Sequence, residues 1–490
     1  MMPIFEPPYP PGLPIGDGWV PTDERQPVHF PYDGTVVADS PLGSPELARR
    51  AVEAALDAAE AVAASPTHRR RAALSRVHAR LLELRAEFED LLVLETGKPK
   101  VDCRTEVERA LVTLQVAGEE AGRLHGETVP LDLTASGEGL FGFWIRQPIG
   151  VVIAIAGFNY PLLLATHKIA PGIAAGCPVV AKPAPQTPLA TLWLTHLFRL
   201  ALLENDVPVA AVQLVTGDAE VGRTLTTDRR IGAVSFTGSA AVGHQIARDA
   251  APTKTLLELG SNSALVVCAD ADLARAADAV IRGGYYASGQ ACISVQRVIV
   301  VERVREPFLR LLADRLGQVV TGDPRWDATR VSALIDVGAA QRVSRWLNEA
   351  VGAGAHLVVG GEVEGATVAP TLLVDVPDGT SVWDEEVFGP VVCVRVVADE
   401  RAAFEVVNRS RYGLHASVFT ASLATAMEAL RQLHVGGVVV NEVPGFRADN
   451  MPYGGVKDSG IGREGPRFAV EELTVTRMAI IRPGWPGAPA

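Results

Sequence analysis

The chain of 490 residues, 48% hydrophobic and 21% charged, is long enough for two or three folding units with sizeable cores. Its formal charge of −12 gives no general basic surface, so nucleic acid is not an expected partner. No apolar run approaches the roughly 18 residues of a membrane span.

The opening "MMPIFEPPYPPGLPIGDGW" has no basic n-region and too many prolines for an apolar h-region, so no secretory signal is expected. The first forty residues, rich in Pro and Gly, predict an extended arm with turns. Ser44-Pro45 is a capping residue followed by proline at a first helical position, and "ELARRAVEAALDAAEAVAA" continues that helix. A second helix is predicted from Thr67 to Glu95, with Leu74, Leu81, Leu84, Phe88 and Leu91 at helical spacing, ending at Gly97 and Pro99. A third covers Val101 to Leu124. "GETVPLDLTASGEGLFGFWIRQP" then alternates around a Ser-Gly turn and predicts a hairpin.

From Ile149 the rhythm becomes strand, loop, helix. "GVVIAIA", "PVVAKPA", "VQLVTG" and "IGAVSFTG" are short β-branched runs, each followed by an expected helical stretch of about ten or more residues, which predicts an α/β unit with a parallel sheet covered on both faces. A second α/β series follows in "SALVVCA", "RVIVVERV", "HLVVGG", "ATVAPTLLVDV" and "PVVCVRVV", ending near "VGGVVVN". The tail strand "ELTVTRMAIIR" has no hairpin partner next to it in sequence.

Ligands of open α/β sheets bind beyond the carboxyl ends of strands, and four stretches stand there. "AIAGFNYP" places Asn159 just past a strand, and "VVAKPAPQTP" places Lys182 after another. "SFTGSAAVG" sets Gly238, Ser239 and Gly243 at a strand-to-helix junction whose free N–H groups and dipole favour a phosphate, although a Gly-Ser there is also an ordinary cap. "LLELGSNSA" puts Glu258 among leucines, where a carboxylate is either costly to bury or turned to solvent at a sheet edge. In "YYASGQACISVQR", Cys292 sits among small residues, as a packed thiol or as a nucleophile that a substrate must reach. The five cysteines, at 103, 177, 268, 292 and 393, include no Cys-x-x-Cys pair. Neither a disulfide framework nor a zinc site is expected, hence no metal, and the expected setting is a reducing cytoplasm.

Together these stretches resemble the NAD(P)-dependent aldehyde dehydrogenase superfamily over nearly the whole chain. The order F-N-Y-P, K-P-A-P, F-T-G-S, L-E-L-G, G-Q-A-C, E-E-V-F-G-P and "MPYGGVKDSGIGREG" matches, as does the 34-residue step from Glu258 to Cys292. The resemblance implies Cys292 as nucleophile, Asn159 with the Cys292 N–H as holder of the oxyanion, and Glu258 as general base. It implies NAD or NADP held by Phe158, Lys182, Gly217, Gly238, Ser239, Gly243, Leu259, Glu386 and Phe388.

The implied fold is a Rossmann-like dinucleotide-binding domain (1–124 and 148–254, with 437–464 returning to it or to the interface), an α/β catalytic domain (255–436) and a small β oligomerisation arm (125–147 and 465–490). The tail strand is expected to find its partner on another subunit of a homodimer or homotetramer. Three positions depart from the usual motifs: Gly157 where many members have Pro, Ser261 where a second glycine is usual, and Pro185 where NAD-preferring relatives often carry Glu. "CISVQR" and "GFRADNMPYGG" are most similar to the lactaldehyde, phosphonoacetaldehyde and non-phosphorylating glyceraldehyde-3-phosphate dehydrogenase branch, which implies a small polar aldehyde as partner and Arg297 or Arg447 as its anion contact. A CoA-acylating enzyme and a catalytically silent homologue are the alternatives.

Overall fold

The computed structural model describes residues 4–484 and contains two main sheets, so positions 485–490 of the expected arm lie outside the described residues. The first sheet has six strands. Its parallel core aligns Val152–Ile155, Val179–Lys182, Val212–Leu214, Ala233–Thr237 and Lys254–Glu258. Ile155 stands level with Lys182 and Thr237 level with Glu258, so the loops bearing Asn159, Lys182, Gly238 and Leu259 leave along one edge.

Residues 259–263 then link directly to Ala264–Val267, which lies inside the second, seven-stranded sheet. Alternate residues of that sheet face opposite ways: Ala264, Val266, Ile299 and Cys393 enter one core, and Leu265, Val267, Val298, Val300 and Val394 the other. Both faces are therefore covered, which is why its strands read as unbroken apolar runs rather than as alternation.

Several expectations need correction. The strand Lys254–Glu258 belongs to the first sheet, paired in parallel with Ala233–Thr237, so the boundary expected at 254/255 cuts through a strand; the crossing lies in 259–263. The 437–464 segment is shared, since Gly437–Val440 extends the second sheet while Gly460–Ile461 pairs with Lys254–Glu258. The second helix is two, Thr67–Glu83 and Arg85–Thr96, because Leu84 leaves helical geometry (φ −97°, ψ 18°). "ATVAPTLLVDV" is likewise two strands around Pro370, which has no N–H for a ladder. The proline-rich start contains two short antiparallel pairs rather than only turns.

The arm differs most. The predicted hairpin forms, Glu127–Val129 against Phe141–Pro148, but the tail strand Thr474–Ile481 pairs antiparallel with Phe141–Pro148 of the same chain. Its ladder needs no second subunit on that side. Its outer edge has no partner strand among the described residues, and Val475, Met478, Ile480 and Ile481 stay exposed.

A buried ion pair ties the helical layer to the site. Lys98 and Glu106, both inaccessible to solvent, are paired, and Lys98 Nζ lies 3.7 Å from the centroid of the Tyr160 ring. Glu106 also accepts the Leu163 N–H at 3.1 Å, in the first turn of the helix Pro161–Ala175 that follows Asn159. Removing one partner strands a charge in the core. We expect Lys98→Met to lower the unfolding free energy by about 3 kcal/mol in urea titration, and the added Glu106→Leu change to recover part of that loss.

Candidate active site

Cys292 ends a backbone segment that few sequences adopt. Ala287, Ser288 and Gly289 lie consecutively at φ 48°, 55° and 73°, and the two non-glycine residues cost on the order of 1–3 kcal/mol each. The surroundings hold this shape. The Ala287 N–H donates to Asp102 Oδ2 at 2.9 Å, and the Ser288 hydroxyl donates to the Ser332 carbonyl at 3.1 Å while accepting the Ser332 N–H at 2.9 Å. Gln290 accepts the Ile335 N–H at 2.9 Å. At Gly289 a Cβ would fall 2.0 Å from the Gly389 carbonyl oxygen, so no side chain fits there. Burial pushes the Cys292 thiol up to about 12, against a hydrogen bond with Tyr453 that lowers it.

Asn159 lies beside this loop: its amide donates to the Gln290 carbonyl at 2.8 Å, which leaves a second N–H free for an oxyanion. Gly157 leaves space here, since a Cβ would come 3.3 Å from the Asn159 side-chain oxygen. Glu258, at the end of its strand, is 5% exposed, and its Oε2 has no hydrogen-bond partner among the described residues. Burial first, and then the nearby Glu464 carboxylate, hold Glu258 well above the usual carboxylate range, against Arg447, Lys168 and Arg463. The solvent-facing alternative at a sheet edge is excluded, because strands flank Glu258 on both sides.

Cys292, Asn159 and Glu258 line one cavity of about 740 Å³. Phe158, Gly238, Ser239, Leu259, Glu386, Phe388 and Arg447 line it too. Ser239 caps the helix Ala240–Ala250 by accepting the Val242 N–H at 3.5 Å. Gly243 lies behind this wall rather than in it: a Cβ there would come 2.2 Å from Leu259 Cδ2, so the glycine sets how closely the helix packs on Leu259. Glu386 accepts the Ser261 N–H at 3.0 Å, and burial raises its carboxyl to about 7. Phe158 and Phe388 meet edge to face at 5.6 Å. Lys182 and Gly217 are not cavity-lining either. Lys182 is buried, and among the described residues its ammonium has only a 3.5 Å contact with the Pro183 carbonyl; burial lowers it to about 8. Such an under-partnered cation fits a hydroxyl-bearing ligand, as the Ser239 helix start fits a phosphate.

Arg297 does not reach the cavity, a correction to its expected substrate contact. It opens the strand Arg297–Val301, donates to the Asn262 and Val406 carbonyls at 3.0 and 3.4 Å, and lies over the Trp383 ring. It serves buried backbone acceptors.

Arg447 does line the cavity, within a charged cluster that sequence gave no sign of. His167 Nε2 and Arg109 both engage Asp449, at 3.1 and 2.8 Å. Lys168, His167 and Arg447 engage Glu464 at 2.8, 3.4 and 3.3 Å. Burial would push the Asp449 carboxyl up, but the hydrogen bonds from His167 and Arg109 outweigh it and hold it well below the usual range. Arg109 and His167 share the cavity wall. These residues come from two helices and the glycine-rich loop near the end of the chain, and no spacing links them. Tyr453, inside the "MPYGG" stretch, carries no sequence signal of a role either, yet its hydroxyl lies 3.3 Å from Cys292 Sγ.

The described residues hold no group of His, Cys, Asp and Glu able to bind a metal, and no helix among them is long and apolar enough to cross a membrane. The aldehyde dehydrogenase family model matches residues 19–479. A 3-sulfolactaldehyde dehydrogenase of Priestia aryabhattai is 39% identical over 471 residues, covering 96% of this chain and 98% of that protein. Among solved structures, aldehyde dehydrogenase 21 from Physcomitrella patens, in complex with the reaction product succinate, superposes with a TM-score of 0.93 at 36% identity, covering 96% of this chain and 98% of that one. A glyceraldehyde-3-phosphate dehydrogenase from Methanocaldococcus jannaschii, complexed with NADP, gives 0.91 at 33% identity, covering 94% and 100%.

Proposed function

The chain belongs to the aldehyde dehydrogenase family, and from that premise we propose that it oxidises a small, anionic aldehyde to the carboxylic acid through a thioester on Cys292. One observation carries the reading: Cys292, Asn159 and Glu258, from three separate segments, line one cavity with Phe158, Ser239, Glu386 and Phe388. The cofactor is NAD or NADP, and bound there it supplies the hydride acceptor. Lys182 and Glu386 would hold its ribose hydroxyls and Ser239 its pyrophosphate. Pro185 offers no carboxylate to repel a 2′-phosphate, so both dinucleotides are admissible.

In this reading the Cys292 thiol first gives up its proton to water, its thiolate sulfur bonds to the carbonyl carbon, and the π electron pair moves to oxygen. The free Asn159 N–H and the Cys292 backbone N–H receive that oxyanion. Its collapse with loss of hydride leaves the thioester. Glu258 takes a proton from the water that attacks it, the C–S bond breaks, and the acid departs. A hydrolytic base on the cavity wall favours water over CoA as acyl acceptor.

Arg109 and Arg447 in the wall support the anionic class, as do relatives named for sulfolactaldehyde and glyceraldehyde 3-phosphate. The exposed apolar residues of the tail strand support the arm as an assembly surface for a homodimer or homotetramer. The free Cys292 thiol suits a reducing cytoplasm.

A panel comparing propanal with carboxylated, sulfonated and phosphorylated aldehydes, with each dinucleotide and with or without CoA, tests all of this. NAD(P)H should form without CoA, with kcat/KM at least about tenfold higher for the anionic members, since charge-assisted bonds to arginine exceed neutral contacts. Preference for propanal overturns the substrate class, strict dependence on CoA overturns hydrolysis, and no turnover of any aldehyde leaves the silent homologue.

A further inference from the structure

Tyr453 is 3% exposed, and among the described residues its hydroxyl has one hydrogen-bond partner, Cys292 Sγ at 3.3 Å. The ring is packed on its face and at its edge beside that contact. The Arg447 guanidinium lies 3.8 Å from its centroid, and the His415 ring meets it edge-on at 5.1 Å. Its backbone exchanges both hydrogen bonds with Glu464, at 3.0 and 2.7 Å. While the thiol keeps its proton, either group can donate. Once that proton has left, only the phenol can.

The other charged and titratable groups facing the sulfur are Tyr286, Glu258, Glu386 and Arg447. The two carboxyls oppose a negative charge there. Arg447 favours one, but it is engaged by Glu464 at 3.3 Å and covers the face of Tyr453. A cation on that face draws electron density from the ring and makes the hydroxyl a stronger donor. Burial raises both the thiol and the phenol, and the hydrogen bond between them lowers the thiol and raises the phenol further, which favours the proton on oxygen.

We propose that Tyr453 is a further catalytic residue, its hydroxyl donating a hydrogen bond to the Cys292 thiolate before attack on the aldehyde and again when the thiolate leaves the thioester. The proposal rests on the reading of Cys292 as nucleophile. It assigns to the tyrosine oxygen, rather than to an ion pair, the stabilisation of the sulfur anion.

The test is the pH profile of Cys292 alkylation by iodoacetamide in the full chain, located by peptide mass, for wild type and Tyr453→Phe. The phenylalanine keeps the ring against Arg447 and His415 and removes only the donor. A hydrogen bond to a charged group contributes about 1.5–3 kcal/mol, so alkylation near neutral pH should slow by about tenfold or more and the profile should move up by about one pH unit or more. Turnover should fall with it. Lowered turnover with an unmoved alkylation profile means a packing role and overturns the proposal. Should Y453F fail to fold, biosynthetic replacement of tyrosine by 3-fluorotyrosine gives a more acidic donor, which must move the profile down; no movement overturns the proposal equally. Cys292→Ala, run alongside, separates the premises: if that variant still oxidises aldehyde, the nucleophile reading fails, whatever Tyr453 does.

Discussion

Replacing Cys292 by alanine should abolish aldehyde oxidation, with a fall in kcat of at least about four orders of magnitude while the fold persists. Asn159 and Glu258 would remain on the cavity wall, but neither can form the covalent adduct from which hydride leaves, and groups that act as one unit lose nearly all their effect when the nucleophile goes. In stability the change is small, about 1 kcal/mol or less, because it removes one atom beside a cavity. The other four cysteines, Cys103, Cys177, Cys268 and Cys393, are buried, so none stands ready to substitute. Aldehyde-dependent NAD(P)H formation, with thermal unfolding as the control, measures both parts. Turnover within tenfold of wild type in a folded C292A protein would remove the covalent mechanism altogether.

The parts of the site that could be read from sequence are those that strand ends dictate. Asn159, Lys182, Gly238 and Glu258 each follow a short apolar run, and a parallel sheet in register carries them to one edge. Cys292 was legible only through its motif, because the left-handed run that presents it includes Ala287 and Ser288 rather than glycines alone. That geometry is imposed by Asp102 and Ser332, from distant parts of the chain.

Arg297 shows the opposite failure. Resemblance to a branch that takes small polar aldehydes implies a substrate contact there, yet only the fold reveals the Asn262 and Val406 carbonyls that occupy it. The tail strand found its partner in Phe141–Pro148, and a pairing across so long a loop leaves no local signature. The His167, Asp449 and Glu464 cluster is of the same kind. Its members are ordinary polar residues until helix and loop bring them within bonding distance.

That cluster bears directly on the second large effect, expected at Glu258. With Glu258→Gln, acylation of Cys292 should survive and hydrolysis should fail, so that intact-mass measurement after mixing with aldehyde and dinucleotide shows the acyl-enzyme accumulating. The amide keeps the shape of the carboxyl but cannot accept the proton of the attacking water. General-base assistance contributes typically 10²–10⁴-fold, and steady-state turnover should fall by about that factor. The pH dependence follows from the same group. As a general base Glu258 would act in its deprotonated form, and burial with the Glu464 charge raises its pKa, so wild-type hydrolysis should increase as pH rises through that elevated value and weaken below it. Glu464 itself, held low by Lys168, His167 and Arg447 against its own burial, stays charged over the same range and keeps the pressure on Glu258 constant. In E258Q the limb of the profile that belongs to this group should vanish along with the rate. Rapid turnover without accumulated acyl-enzyme, or an unaltered pH limb, would assign the base to another residue.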